Sequence, residues 1–189
     1  MRYKIPVLLG TTRIGCKSEH VANYALNKLK KIETVNTELI DLASFNLPVF
    51  EERMSSLETI PEGLITFSKK IVESDALIIV TPEYKNSYPG ALKNAFDFLE
   101  AGIFKHKPIA ICTVSSGGFG GVNCLSQLRL VCLAMGGVPL PGKLPVSNVK
   151  EVFDDKGQLT DFTYDERIQS FLEELLWYTE ALTARKKND

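Results

Sequence analysis

The chain has 189 residues, 44% of them hydrophobic and 24% charged, with a formal net charge of −1. Lys and Arg total 22 against 23 Asp and Glu, so no basic excess points to a nucleic-acid partner and no acidic excess to a disordered, solvating segment. A chain of this size buries roughly 70% of its unfolded surface, enough for a core without metal or disulfide staples, and residues 1–189 are expected to form one domain.

Residues 3–9 read as a buried strand ending at Gly10. Residues 18–31 carry Val21, Ala22, Ala25, Leu26 and Leu29 at helical spacing, with Ser18 as the expected N-cap. A second strand is predicted over 35–42, then a loop rich in Pro, Glu and Ser over 43–60. Pro61 opens a helix through Val72 that turns Leu64, Ile65, Phe67, Ser68 and Ile71 inward. Residues 76–80 are the cleanest buried strand, and Pro89 starts a helix through Leu99, at the first helical position, where its missing N–H costs nothing. A strand over 107–114 leads into the glycine-rich loop 115–121 and a helix over 122–135, which stops at Gly136-Gly137. Residues 138–146 read as a strand interrupted by Pro and Gly, 153–162 as a small exposed hairpin, and 165–185 as a final amphipathic helix. Short apolar strands alternating with helices predict a parallel sheet covered on both faces: a three-layer α/β/α sandwich on five strands.

The apolar runs fall far short of the roughly 20 residues that span a bilayer. The basic-then-apolar N-terminus is too brief for a signal peptide and has no small-residue cleavage site. Cys16, Cys112, Cys124 and Cys132 form no C-x-x-C pair and no zinc-like cluster with His. No metal site is expected, and the thiols suit a reducing, cytoplasmic setting.

Open parallel sheets bind ligands beyond the carboxyl ends of their strands, which directs attention to three loops. Residues 10–18, Gly-Thr-Thr-Arg-Ile-Gly-Cys-Lys-Ser, bring hydroxyls, a guanidinium, an ammonium and a helix N-terminus together, as a phosphate requires. The loop is not a Walker A motif, because Cys16 separates Gly15 from Lys17, and no G-x-G-x-x-G follows any strand. Residues 81–90, Thr-Pro-Glu-Tyr-Lys-Asn-Ser-Tyr-Pro-Gly, form a proline-restricted surface with an aromatic suited to a planar ring, or a plain turn before the next helix. Loop 115–121 has four glycines, whose amides approach a ligand closely or which simply form a flexible connection. Cys16 stands beside Arg13 and Lys17, where a thiolate would be favoured, although no redox role is expected of it. His20 and His106 read as non-catalytic surface residues, Asp154-Asp155 as solvated surface, and Trp177 with Leu172, Leu175 and Leu176 as core or subunit contact.

These loops resemble the NAD(P)H-dependent FMN reductase family, flavodoxin-like proteins that include quinone, azo-dye and chromate reductases. The resemblance rests on Gly10-Thr11-Thr12-Arg13 with Ser18, on Thr-Pro-Glu-Tyr at 81–84, on Ser-Tyr-Pro-Gly-Ala-Leu-Lys-Asn-Ala-Phe-Asp at 87–97, and on the glycine loop with its helix, and it spans about residues 3–147. It implies a flavodoxin-like sandwich with a five-stranded parallel sheet and bound FMN. Thr11, Thr12, Arg13 and Ser18 would hold the phosphate, with Lys17 an extra charge. Pro82, Glu83, Tyr84, Lys85 and Asn86 would flank the isoalloxazine, and Ser116, Gly117 and Gly118 would offer backbone donors to its pyrimidine side. The family usually has Asn after Glu-Tyr; here Lys85 stands there and Asn86 follows, so either Asn86 takes that contact or Lys85 supplies only its amide. NADPH or NADH would pass hydride to flavin N5, and a quinone, azo compound, free flavin or similar small-molecule acceptor would then take the electrons by a ping-pong mechanism with no essential acid–base side chain. A homodimer or homotetramer is implied. The alternative is a flavodoxin-type FMN electron carrier or a non-catalytic flavin-binding sensor, although a net charge of −1 gives little of the acidic docking face a carrier needs.

Overall fold

The computed structural model describes residues 2–186. Its first strand comes in two pieces, β1 (Tyr3–Lys4) and β2 (Val7–Leu9), because Pro6 has no N–H to give to the ladder. The neighbouring strand is split at the same level into β3 (Val35–Asn36) and β4 (Leu39–Asp41), paired in parallel with β1 and β2. The Ile5 amide donates to the Asn36 carbonyl at 2.9 Å and the Val7 amide to Glu38 at 2.9 Å, so the two expected strands, 3–9 and 35–42, run on through the break.

At the centre lie β5 (Leu77–Pro82) and β6 (Pro108–Val114), buried at every residue. The outer position is shared by β7 (Val138–Pro139) and β8 (Leu144–Val146), both parallel to β6. Between them the Arg129 guanidinium donates to the carbonyls of Leu140, Pro141 and Gly142 at 2.8, 2.8 and 3.0 Å, which holds the interruption in place. The main sheet runs β4-β2-β5-β6-β7 with β8 beside β6. With the split strands rejoined this is the expected five-stranded parallel sheet in the flavodoxin-like order 2-1-3-4-5, with its switch point between the first and third strands.

Alternation along the strands builds a core on each face. Ile78, Val80, Ala110 and Cys112 meet α1 (Ser18–Leu29) and α6 (Thr163–Lys186) on one side. Leu77, Ile79, Ile109 and Ile111 meet α2 (Glu62–Val72), α3 (Gly90–Asp97) and α4 (Val122–Ala134) on the other. A four-residue α5 (Val149–Val152) follows β8. Ser18 does not cap α1: Lys17 holds that position without a side-chain bond, and Ser18 is buried as the first helical residue. Ile65 is 49% exposed rather than inward, because it falls off the stripe formed by Leu64, Phe67, Ser68 and Ile71. Helix α3 stops at Asp97, short of Leu99. Loop 43–60 contributes to short 3₁₀ turns at Leu42–Phe45 and Met54–Ser56, and Asn94 pins its middle by donating to the Pro48 carbonyl and accepting from the Phe50 amide. The hairpin expected near 153–162 forms around a bridge between Phe153 and Leu159. Trp177 is not core: it is 65% exposed, edge-on to Tyr178, while Leu172 and Leu175 beneath it are buried. Among the described residues no helix is long and apolar enough to cross a membrane.

Candidate functional site

The carboxyl ends of β2, β5, β6 and β8 open on one edge of the sheet, where their loops enclose a cleft of about 890 Å³. Arg13, Lys17 and Ser18 line it from the first loop, with the N-terminus of α1 beside them. Arg13 has no carboxylate partner among the described residues, and two cations with the positive end of a helix dipole border this part of the cleft. Thr11 lies beneath rather than in it: 2% exposed, it accepts from the Arg13 amide at 3.3 Å and shares a hydrogen bond with the Tyr84 hydroxyl at 3.2 Å. Thr11 therefore joins two loops. Thr12 is turned away, into a separate hollow of about 270 Å³ that it lines with Leu42, Ala91 and Asn94.

Two expectations around this loop are corrected. Cys16 is buried, and burial pushes its thiol up from the ordinary value by more than the hydrogen bond from the Glu19 backbone lowers it, so a thiolate is not favoured there. Asp155 is exposed, yet it is not merely solvated: its carboxylate pairs with the Lys17 ammonium at 2.8 Å. That bond, helped by the charges of Lys150 and His20, holds the carboxyl below the usual carboxylate range. His20 is half-buried against Gly157 of the same hairpin.

The second loop is closed by its own backbone hydrogen bonds. The Tyr84 amide donates to the Ser87 carbonyl at 2.8 Å and the Ser87 amide returns a bond to Tyr84 at 3.1 Å, while Lys85 (φ 51°) and Asn86 (φ 62°) are both left-handed. That is the signature of a two-residue type I′ hairpin turn. Pro82, Glu83, Tyr84 and Lys85 line the cleft; Asn86 does not. The Glu83 carboxylate accepts from the Cys124 amide at 2.9 Å and so caps α4. Gln127 of α4 accepts from the Ser87 hydroxyl at 2.7 Å and donates to the Asn86 carbonyl at 2.8 Å, clamping the turn to that helix.

From the third loop Ser115 and Ser116 line the cleft, whereas Gly117 and Gly118 do not. The Gly117 amide donates to the Ser115 hydroxyl at 2.9 Å. Gly120 is left-handed (φ 61°), and a Cβ there would sit 2.7 Å from that of Pro145, so only glycine lets this loop pack on β8. Val149 and Lys150 of α5 close the cleft's remaining side. Sequence reasoning missed both, although the fifth strand ends on the same edge as the others. It also missed Gln127, for which no local pattern exists.

The donor set fits FMN: cations and a helix N-terminus for a phosphate, a held turn with Tyr84 for a planar ring, and two serines opposite. The chain matches the family described as NADPH-dependent FMN reductase over residues 3–151. It is 37% identical over 128 residues to an NADPH azoreductase of Bacillus sp. (strain OY1-2), a stretch covering 67% of this chain and 66% of that protein. It is 27% identical over 174 residues to the FMN-dependent NADPH-azoreductase of Staphylococcus aureus (strain USA300), covering 90% and 92%. Among solved structures, FerB, a flavoenzyme NAD(P)H:(acceptor) oxidoreductase from Paracoccus denitrificans, aligns with a TM-score of 0.77 at 25% identity, over 95% of this chain and 98% of that one. With the family match spanning most of its length and the cleft built to suit the cofactor, the chain belongs to the NADPH-dependent FMN reductase family and is an FMN-dependent NAD(P)H oxidoreductase on a flavodoxin-like fold.

Proposed function

We propose that the protein passes electrons from NADPH to a small-molecule acceptor, a quinone, azo compound or free flavin, in two successive half-reactions of a ping-pong cycle at the one cleft. The observation that carries this reading is the cleft itself: a cationic helix N-terminus on one loop and a clamped, aromatic-bearing turn on the next, at the switch point of the sheet. The azoreductase names of two relatives support an acceptor of this kind. FMN, when bound, supplies the redox chemistry by accepting hydride from the nicotinamide and yielding electrons to the acceptor.

The chain's own part is binding and orientation. Arg13, Lys17, Ser18 and the first turn of α1 hold the phosphate. Thr11 positions Tyr84 from below, and Thr12 has no direct part. Pro82, Tyr84 and Lys85 would flank the ring, with Ser116 contributing from the third loop. Glu83 and Asn86 serve by fixing the turn to α4. Among the described residues Glu83 is the one carboxylate lining the cleft, and it is engaged as a cap of α4. A homodimer or homotetramer would cover the exposed Leu130 and Leu133 of α4, and the four buried, unpaired cysteines suit the cytoplasm.

The test is an anaerobic visible spectrum of the protein with FMN, before and after NADPH. Bound-flavin bands that bleach promptly, with steady turnover when a quinone is added, are expected. Bands that persist with both NADPH and NADH would instead identify a carrier or sensor, and absence of flavin binding would remove the cleft assignment.

A further inference from the structure

Lys85 occupies a position whose backbone disfavours it. The type I′ turn at 84–87 needs a left-handed residue at each central place. Asn, Asp and Gly take that conformation readily, while a long side chain is strained there. Asn86 suits the second place by residue type; Lys85 holds the first, at φ 51°, without that preference. Nothing in the hydrogen bonding of the turn uses the lysine side chain, since both cross-turn bonds run between the Tyr84 and Ser87 backbones. Strain held at the rim of a ligand cleft points to what the side chain does there.

Lys85 lines the cleft, is exposed, and pairs with no carboxylate among the described residues. Lys17, on the first loop, pairs with the Asp155 carboxylate at 2.8 Å. Glu83, the nearest acid in sequence, is committed to the Cys124 amide. Arg13 and Lys17 stand on the loop after β2, at the N-terminus of α1, whereas Lys85 stands on the turn after β5. A single phosphate bound at the helix N-terminus accounts for the first group and leaves Lys85 without an anion.

We propose that Lys85 recognises an anionic group, a phosphate, sulfonate or carboxylate, on the molecule that exchanges electrons at this site, and is thereby a specificity-determining residue. The inference rests on the oxidoreductase reading above. Two sources share this chemistry: the 2′-phosphate that distinguishes NADPH from NADH, and an acidic substituent on the acceptor. An exposed ammonium meeting such a group favours it by roughly fivefold.

The experiment compares wild type, Lys85→Asn and Lys85→Arg, each loaded with FMN. Asn suits the turn, so the first variant removes the charge while its melting temperature stays at or above that of wild type; Arg keeps the charge. Rapid-mixing rates of flavin bleaching are measured with NADPH and with NADH, and kcat/KM is measured for a sulfonated naphthoquinone and its unsulfonated parent. Lys85→Asn is expected to lower the charged-over-neutral ratio roughly fivefold in at least one pair, while Lys85→Arg retains it. A fall confined to the nucleotide pair places the anion on NADPH, and one confined to the quinones places it on the acceptor. Unchanged ratios in both pairs, or equal losses for charged and neutral members, overturn the proposal. A wild-type protein that neither nucleotide bleaches would defeat the oxidoreductase reading instead, before any variant is compared.

Discussion

Lys17 bears two roles that compete. It lines the cleft beside Arg13, where a phosphate is expected, and it holds the Asp155 carboxylate 2.8 Å away. Asp155 is 99% exposed at its side chain, so the pair is worth little to folding. Its larger effect is on binding, because a carboxylate so close cancels part of the field that an incoming dianion would feel. Asp155→Asn is therefore expected to tighten FMN binding about two- to fivefold, by the scale of an exposed ion pair, as read by titrating flavin fluorescence. Weaker binding by the variant would mean that Asp155 orders Lys17 instead of occupying it. The role of Lys17 in the loop could be read from its neighbours, but the pair could not, since 138 residues separate its members. Asn86 and Lys85 show the same boundary. The residues of the second loop were identifiable as a group, whereas which of the two faces the cleft depends on consecutive left-handed residues that no local pattern announces.

Elements were legible where apolar runs are continuous. β5 and β6, buried at every residue, lie within a residue or two of where their sequences place them. The split of the first two strands follows from Pro6, visible in the sequence but overruled there by the apolar residues around it. What periodicity does not show is how elements hold one another. Helix α4 has Gly121 at its N-cap, with no side chain to cap it, and its Cys124 amide is capped instead by Glu83 on the loop after β5, 41 residues away. Glu83→Ala is expected to cost about 1 kcal/mol, as loss of a helix cap does, and to loosen the turn against α4. Glu83→Gln, which can still accept from the Cys124 amide, should recover most of it. Chemical denaturation of the three proteins tests this. Equal stability of Ala and Gln variants would show that the carboxylate charge, rather than the hydrogen bond, is what α4 requires.

Across the whole molecule, ionisable groups outside the cleft tie distant segments together and set how stability varies with pH. Asp165, at the start of α6, accepts from the Tyr24 hydroxyl at 2.5 Å and pairs with Lys28 at 2.5 Å, joining α6 to α1 over one face of the sheet. Lys28 first, then Tyr24, holds the Asp165 carboxyl below its ordinary value. Lys4 does the same for Glu73, and Lys17 for Asp155. A carboxyl whose value is lower in the folded state stabilises that state fully above its unfolded value near about 4, and this contribution is lost as pH falls through the folded value. Tyr24 acts at the other end: burial first, then Asp165, raises it to about 12. Its contribution is complete below the unfolded value of about 10 and disappears as pH rises through about 12. Burial likewise raises the thiols of Cys16, Cys112, Cys124 and Cys132, which ionise from about 8.5 once unfolded, so the melting temperature should be flat from about pH 5 to 7.5 and fall on both sides. Asp165→Asn removes the Lys28 pair and weakens the Tyr24 bond. Because Asp165 is partly exposed, screening limits the loss to about 1 kcal/mol, or about 2–4 °C in a chain of this size. That deficit should be constant across the neutral plateau, shrink as acid protonates the wild-type carboxylate, and close as the two curves meet below its folded value. A deficit that persists undiminished into acid would assign the loss to packing between α1 and α6 rather than to the charge of Asp165.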